Sequence, residues 1–130
     1  MTAIALTGAT GFVGSHVAES LIQANHTVHL YVRRVSPLIR AWQGRGARVY
    51  VAAGGNDEAV LQEALEKADI VIHCAAATRA LNRRAFHRAN VAFTERVLSF
   101  LTRRQRFLFI SSQAVAGPSP RGIALDETAP

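Results

Sequence analysis

The sequence predicts an α/β fold in which a parallel sheet of about five strands is covered by helices on both faces. Short apolar runs rich in β-branched residues alternate with longer stretches of helical periodicity, which is typical of β-α-β units. The fourth and fifth runs are almost continuously apolar, as expected of parallel strands that are buried on both faces. Right-handed crossovers then predict a three-layer sandwich with strand order 3-2-1-4-5.

The first strand and the first helix follow from the opening residues. Residues 3–7 form a short apolar run that Gly8 stops, which predicts a buried strand. Over residues 12–24, branched apolar side chains recur at intervals of four, which is helical spacing. The chain therefore passes from a strand through a glycine-rich turn directly into a helix.

The later elements are bounded by capping and turn residues. Ser36 followed by Pro37 predicts the N-cap and first residue of a second helix, which Gly44 ends. Asn56, with two acidic residues after it, predicts the start of a third helix. The predicted strands are 3–7, 27–32, 47–51, 69–73 and 107–111, and a long helix is expected over 82–104.

The long helix carries two apolar faces. Phenylalanines at 86, 93 and 100 repeat every seven residues along one face of the helix. Val91 and Leu98 lie on a different face of the same helix. Arg103 and Arg104 would suit the negative end of its dipole. One face can cover the sheet while the other meets a partner, so we expect a homodimer through helix 82–104. Burial of both faces within one protomer is the alternative.

Composition limits the class of protein. The 130 residues are 49% apolar, which indicates one packed domain and excludes a disordered chain. A single cysteine, Cys74, excludes a disulfide scaffold, and the five histidines lack metal-ligand spacing, so no metal site is expected. With no bilayer-spanning run and no signal peptide, we expect a cytoplasmic protein without a membrane partner.

The formal charge of +6 comes from 14 arginines and one lysine against nine acidic residues. Such a balance permits anionic partners, but it also fits an ordinary solvated basic surface. The arginines are dispersed and no nucleic-acid motif accompanies them, so no nucleic-acid partner is expected. The arginines at 79, 83, 84 and 88, after the fourth predicted strand, either contact an anion or form a solvated helix face.

The strongest motif is the turn Thr7-Gly8-Ala9-Thr10-Gly11-Phe12-Val13-Gly14 between the first strand and the first helix. Gly8 permits a sharp exit from the strand, Gly11 lets a diphosphate approach the backbone, and Gly14 lets the helix pack on the sheet. Free N–H groups of the first helical turn then face the diphosphate. The alternative is a purely structural turn. The candidate contacts of this Rossmann-type site are Gly8, Thr10, Gly11, Phe12, Val13 and Gly14.

The end of the second strand bears on the choice of nucleotide. An NAD-preferring site places Asp or Glu about 20 residues after the last glycine, on the ribose 2′-OH. Here Arg33 and Arg34 follow the strand, and guanidinium groups can fork onto a 2′-phosphate. The sequence therefore favours NADP over NAD. Two solvated arginines at a strand end are the alternative.

With these residues in view, the sequence resembles the extended short-chain dehydrogenase/reductase family, in particular its epimerase/dehydratase and dihydroflavonol-reductase-like members. The matching segments are 7–16, 71–77, Asn90-Val91 and 109–112, followed by Val115 and Gly117. The resemblance implies cofactor contacts from Ala75, Ala76, Ala77, Asn90 and Ser111. It also implies that Ser112 hydrogen-bonds a carbonyl or nucleotide-sugar substrate during hydride transfer, and that His73 has a packing or hydrogen-bonding role.

The sequence departs from the family at three places. The family's catalytic pair is Tyr-x-x-x-Lys, but Val35 and Gly54 stand four residues after the two tyrosines. The family's Gly-Asp-Leu after the third strand is missing, so no residue is assigned to its adenine contact, and Asp57 is left as an open alternative. A glycine position on the long helix holds Phe93.

We expect a partial NAD(P)-binding Rossmann domain over 1–117 and a loop or tail over 118–130 that leads to a missing catalytic segment. We expect the chain to be the N-terminal portion of a short-chain oxidoreductase or epimerase, with slight turnover at most. The alternative is a non-catalytic NADP-sensing regulator of the same superfamily, which would keep the glycine turn and lose the tyrosine.

Overall fold

Five parallel strands form one sheet in the order β3-β2-β1-β4-β5, which confirms the predicted topology. The computed structural model describes residues 1–54, 57–119 and 122–128. The predicted cap Asn56 and part of the predicted tail, residues 120, 121, 129 and 130, lie outside them. The strands are β1 (Ala3–Thr7), β2 (Thr27–Val32), β3 (Arg48–Val51), β4 (Ile70–His73) and β5 (Arg106–Phe109).

Helices α1 (Phe12–Gln23) and α2 (Pro37–Gly44) cover one face of the sheet. As predicted, Ser36 caps α2 by accepting a hydrogen bond from the Ile39 N–H at 3.3 Å. The two helices are joined at Glu19, whose carboxylate accepts from the buried Trp42 indole at 2.7 Å and from Arg45 at 2.8 Å. These bonds, Arg45 first, lower the pKa of Glu19.

The other face is covered by α3 (Asp57–Glu66) and by the helical segment that follows β4. That segment consists of α4 (Arg83–His87), a π-helical turn (Arg88–Ala92) and α5 (Phe93–Ser99). Its Val97 is fully buried with Leu61 and Leu65 of α3. The helices thus form the two outer layers of the predicted three-layer sandwich.

The long helix differs from the prediction in its length and its regularity. It ends at Ser99, so Arg103 and Arg104 lie in a turn beyond it and do not face its dipole. Gln105 holds this turn against the end of α3, because its side-chain amide donates to the Leu65 and Ala68 carbonyls at 2.7 and 2.9 Å. The turn that follows the helix is therefore held by a contact that is distant in sequence.

Strand β5 lies at one edge of the sheet and, within the described residues, pairs only with β4. Its Leu108 and Phe109 are 51% and 50% exposed. A short 3-10 turn, Gln113–Ala116, follows it and was not predicted. No helix in the described part of the chain has the length and apolar character needed to cross a bilayer.

Candidate dinucleotide-binding site

A cavity of about 590 Å³ opens at the carboxyl edge of the sheet. It lies where β1 and β4 are neighbours and the chain reverses its direction of winding, which is where doubly wound sheets bind ligands. Its lining comes from the glycine turn, the ends of β2 and β3, the loop after β4 and the helical segment. The lining residues are Gly8, Thr10, Gly11, Tyr31, Val32, Arg33, Ala52, Asp57, Cys74, Ala75, Ala76, Ala77, Ala85, Arg88, Ala89, Phe93 and Arg96.

Two glycines of the turn are required by the protein's own packing. Gly8 has φ of +78°, and a Cβ there would lie 2.5 Å from the Ala75 nitrogen in the loop after β4. A Cβ on Gly14 would lie 2.1 Å from the Gly8 carbonyl oxygen. Gly14 is buried and does not line the cavity, so its role is the close approach of α1 to β1.

Gly11 is different, because nothing within the chain requires a glycine there. Its φ of −81° is open to any residue, and a Cβ would meet only the Gly8 oxygen, at 3.4 Å. The N–H groups of residues 12–14 precede the first bond of α1, from Ser15 N–H to the Gly11 carbonyl at 2.9 Å, and have no intrahelical acceptor. The missing side chain therefore leaves space beside uncapped N–H groups, which fits a diphosphate.

The loop after β4 forms a second wall of the cavity. Ala75, Ala76 and Ala77 all line it, as expected of small residues close to a cofactor. The Asn90 side chain holds this loop, since its Oδ1 accepts from the Ala77 N–H at 2.7 Å and its Nδ2 donates to the Ala77 carbonyl at 2.9 Å. Asn90 is not among the lining residues.

Of the two arginines that follow β2, one lines the cavity. Arg33 lines the cavity and is exposed, whereas Arg34 is exposed but does not line it. Tyr31 also lines the cavity, and burial raises the pKa of its phenol. The rings of Tyr31 and Phe93 stack at 5.9 Å, so the residue at the expected glycine position becomes part of the wall.

Arg88 and Arg96 add positive charge to the helical side of the cavity. Arg96 lies 3.7 Å from Glu58 at the start of α3. Asp57 is the acidic lining residue, and its carboxylate accepts from the Gly54 N–H at 2.9 Å. The lining thus holds three guanidinium groups against one carboxylate, a balance that suits an anionic ligand.

Two histidines are buried in the sheet beside the cavity. The Nδ1 of His29 lies 3.0 Å from the Tyr50 hydroxyl, and His73 lies between Thr7 and Thr94. Burial lowers the pKa of both. The structure describes no cluster of three or more His, Cys, Asp or Glu side chains able to hold a metal ion.

The remaining predicted contacts lie outside the cavity lining. Ser112 caps the 3-10 turn and accepts from the Ala114 N–H at 3.2 Å, and within the described residues its hydroxyl proton has no acceptor. Ser111 is exposed, as are Phe12 and Val13. Cys74, for which no site role was predicted, does line the cavity, and burial raises the pKa of its thiol.

Sequence reasoning did not assign Tyr31 and Arg96 to the site. The position of Tyr31 near the carboxyl end of β2 could have identified it, because ligands bind at that edge of a parallel sheet. Arg96 could not be found locally, since it reaches the cavity only through the packing of α5 against the sheet.

A glycine turn at the switch point of a parallel α/β sheet defines a Rossmann-type nucleotide-binding protein. The model of the NAD dependent epimerase/dehydratase family matches residues 4–130. The chain belongs to this family.

Curated relatives with this domain are longer proteins. The chain is 30% identical over 128 residues to the ceramide reductase of Caulobacter vibrioides, covering 97% of this chain and 39% of that protein. It is 31% identical over 123 residues to a decarboxylating sterol-4-alpha-carboxylate 3-dehydrogenase of Dictyostelium discoideum, covering 88% and 37%. The chain therefore spans about two fifths of the length of these relatives.

Solved structures share the fold. A short-chain dehydrogenase/reductase superfamily protein from Agrobacterium tumefaciens with bound NAD has a TM-score of 0.76 and 26% identity, covering 98% of this chain and 38% of that one. A UDP-glucose 4-epimerase from Brucella ovis in complex with NAD has a TM-score of 0.75 and 28% identity, covering 93% and 39%.

Proposed function

We propose that this chain is the NAD(P)-binding portion of a short-chain oxidoreductase or epimerase. The observation that carries the proposal is Gly11, a residue that the fold does not need as glycine, beside uncapped N–H groups at the edge of the cavity. The proposed dinucleotide contacts are the turn 8–14 and the alanines of the β4 loop. Similar structures with bound NAD support the class of ligand.

We further propose that NADP binds more tightly than NAD. Arg33 lines the cavity at the β2 end, Arg34 is adjacent, and the residues that directly follow β2 in sequence include no Asp or Glu. The structural relatives named above hold NAD, so this preference would be a property of the present chain. A guanidinium group can form paired hydrogen bonds with a 2′-phosphate.

Calorimetric titration with NADPH and NADH tests both proposals. We expect NADPH to bind at least about tenfold more tightly. Arg33→Ala should remove most of this difference, whereas the matched control Arg40→Ala, an exposed arginine on α2 outside the cavity, should not. Equal affinities in the wild-type chain would refute the NADP preference alone. If neither dinucleotide bound, the proposed function itself would fail.

The parent activity that we propose is transfer of hydride to or from a carbonyl or sugar substrate. A bound NAD(P) supplies the hydride chemistry. Ser112 would orient the substrate, since its hydroxyl proton, which has no acceptor in the part of the chain that the structure describes, can be donated to a carbonyl oxygen. The chain holds no Tyr-x-x-x-Lys pair, so the family's proton donor is missing from these 130 residues. Loss of general acid catalysis costs about 10²–10⁴-fold, so we expect negligible turnover from this chain alone.

The second candidate function is a regulator of the same superfamily that senses NADP without turning it over. The two candidates differ in what the reading frame encodes after Pro130. A downstream Tyr-x-x-x-Lys would support the enzyme, and a stop codon would support the sensor.

We also propose self-association through the long helix. Val91 and Leu98 are 42% and 46% exposed on a face that the sheet does not cover. Light scattering should detect a dimer that Leu98→Asp disrupts, while Val115→Asp, an equally apolar exposed site elsewhere, should not. A monomer at high concentration would argue against this interface.

A further inference from the structure

A chain of hydrogen bonds runs from β1 through β4 to the long helix and back to the cavity wall. His73 lies at its centre and is fully buried. Its Nδ1 lies 2.6 Å from the Thr7 hydroxyl, and its Nε2 lies 2.9 Å from the Thr94 hydroxyl. Thr94 in turn donates to the Asn90 carbonyl at 2.6 Å.

The bonds of Thr94 fix the tautomer of His73. A hydroxyl has one proton to donate, and that of Thr94 goes to the Asn90 carbonyl. Thr94 must therefore accept from His73, which places the imidazole proton on Nε2. The unprotonated Nδ1 then accepts from the Thr7 hydroxyl. Both nitrogens of the neutral imidazole therefore have a hydrogen-bond partner, one as acceptor and one as donor.

Both ends of this chain of bonds reach the dinucleotide site. Thr7 directly precedes Gly8, the first glycine of the turn. At the other end, the Asn90 side chain holds Ala77 of the cavity wall through two bonds of 2.7 and 2.9 Å. The wall and the turn also touch each other, since a Cβ on Gly8 would lie 2.5 Å from the Ala75 nitrogen.

The π-helical turn explains how one helical segment places Asn90 against the loop after β4 and Thr94 against His73 of the sheet. The Phe93 N–H bonds to the Arg88 carbonyl, five residues earlier, which widens the helix around Asn90. Asn90 then turns its side chain to the loop, while Thr94, one turn later, meets the sheet at His73. Irregular turns of this kind are frequent at functional sites.

We propose that Thr7, His73, Thr94 and Asn90 form a positioning network that sets dinucleotide affinity without touching the ligand. The inference rests on the proposed NAD(P)-binding function. None of the four is among the residues that line the cavity. The network links the turn that receives the diphosphate to the adjacent wall and to the helical segment, so we expect its loss to loosen a preformed site.

Substitution of Thr94 tests the network with a matched pair. Thr94→Val keeps the shape of the side chain and removes both of its bonds, whereas Thr94→Ser keeps the hydroxyl. We expect Thr94→Val to raise the Kd for NADPH about tenfold and Thr94→Ser to stay within about threefold of wild type. Val28→Ala, a buried change on the opposite face of the sheet, controls for general destabilisation and should leave Kd unchanged in the folded chain.

A second pair of variants and an NMR measurement without ligand test the network even if Thr94→Val does not fold. If Thr94→Val does not fold, Thr7→Val with Thr7→Ser makes the same comparison at the other side of His73. Nitrogen-15 NMR of the wild-type imidazole should find the proton on Nε2, and a proton on Nδ1 would overturn the network. Unchanged NADPH affinity in a folded valine variant would also overturn it and leave the proposed function intact. Failure of the wild-type chain to bind any dinucleotide would instead count against the proposed function.

Discussion

The three glycines of the turn differ in what a side chain at each position would contact. Gly8 and Gly14 are fixed by backbone that lies within 2.5 and 2.1 Å of a hypothetical Cβ. Gly11 has an ordinary φ and no such neighbour. At this scale, folding and ligand binding are separable, because one glycine can be changed without disturbing the packing that the other two allow.

We expect Gly14→Ala to affect mainly the stability of the fold and Gly11→Ala to affect mainly the affinity for NADPH. Gly14→Ala forces a Cβ into the Gly8 carbonyl and should lower the free energy of unfolding by about 1–3 kcal/mol or more. Gly11→Ala should change stability by no more than about 0.5 kcal/mol and weaken NADPH binding at least about tenfold. Urea unfolding and calorimetry measure the two effects. Undiminished affinity in Gly11→Ala would remove the main support for the diphosphate site.

The helices show which of their bounds can be predicted from neighbouring residues and which cannot. Ser36 and Pro37 predicted the start of α2 correctly, because a cap and a first-turn proline act within a few residues. The same kind of reasoning extended the long helix to residue 104 and missed its π-helical turn. The turn after its end is held by Gln105, which bonds to carbonyls some 40 residues away, and no local pattern contains such a contact.

The α2 cap gives a test at the scale of the element. Ser36→Ala removes the acceptor for the Ile39 N–H and should lower the free energy of unfolding by about 1 kcal/mol. Ser36→Gly should cost only a few tenths, since glycine also tolerates the cap position. Urea denaturation of the two variants distinguishes them. An unchanged free energy of unfolding in Ser36→Ala would mean that the cap bond adds nothing to stability.

The site was predicted less completely than the fold. The glycine turn, the β4 alanines and Arg33 were all recognisable, because each follows directly from a strand end. Asn90 was expected to contact the cofactor, but it does not line the cavity, and its observed partner is the Ala77 backbone. That pairing depends on how the long helix is docked on the sheet, which sequence spacing does not determine.

For the whole molecule, the two buried histidines link stability to pH. Burial lowers the pKa of His29 and of His73 below the ordinary value of 6.5. As the pH falls through that value, the unfolded chain binds more protons than the folded chain, so the free energy of unfolding decreases. The acidic groups with lowered pKa, Glu19 and Asp126, act only at lower pH.

We therefore expect a lower urea midpoint at about pH 5.5 than at about pH 7.5. Proton NMR titration of the two imidazoles in the folded chain should give midpoints below 6.5 for both. A urea midpoint that stays constant over this range would show that neither histidine is buried in its neutral form.

Within the described residues β5 pairs on one side only, so we expect it to be a second place, besides the long helix, where copies of this chain can meet in concentrated solution. A strand with one unpaired row of peptide groups and two half-exposed apolar side chains can serve as a template for intermolecular sheet growth. Its short length and Arg106 are modest protection. Turbidity that rises with protein concentration, and that Leu108→Lys suppresses, would identify this strand as the point where aggregation begins.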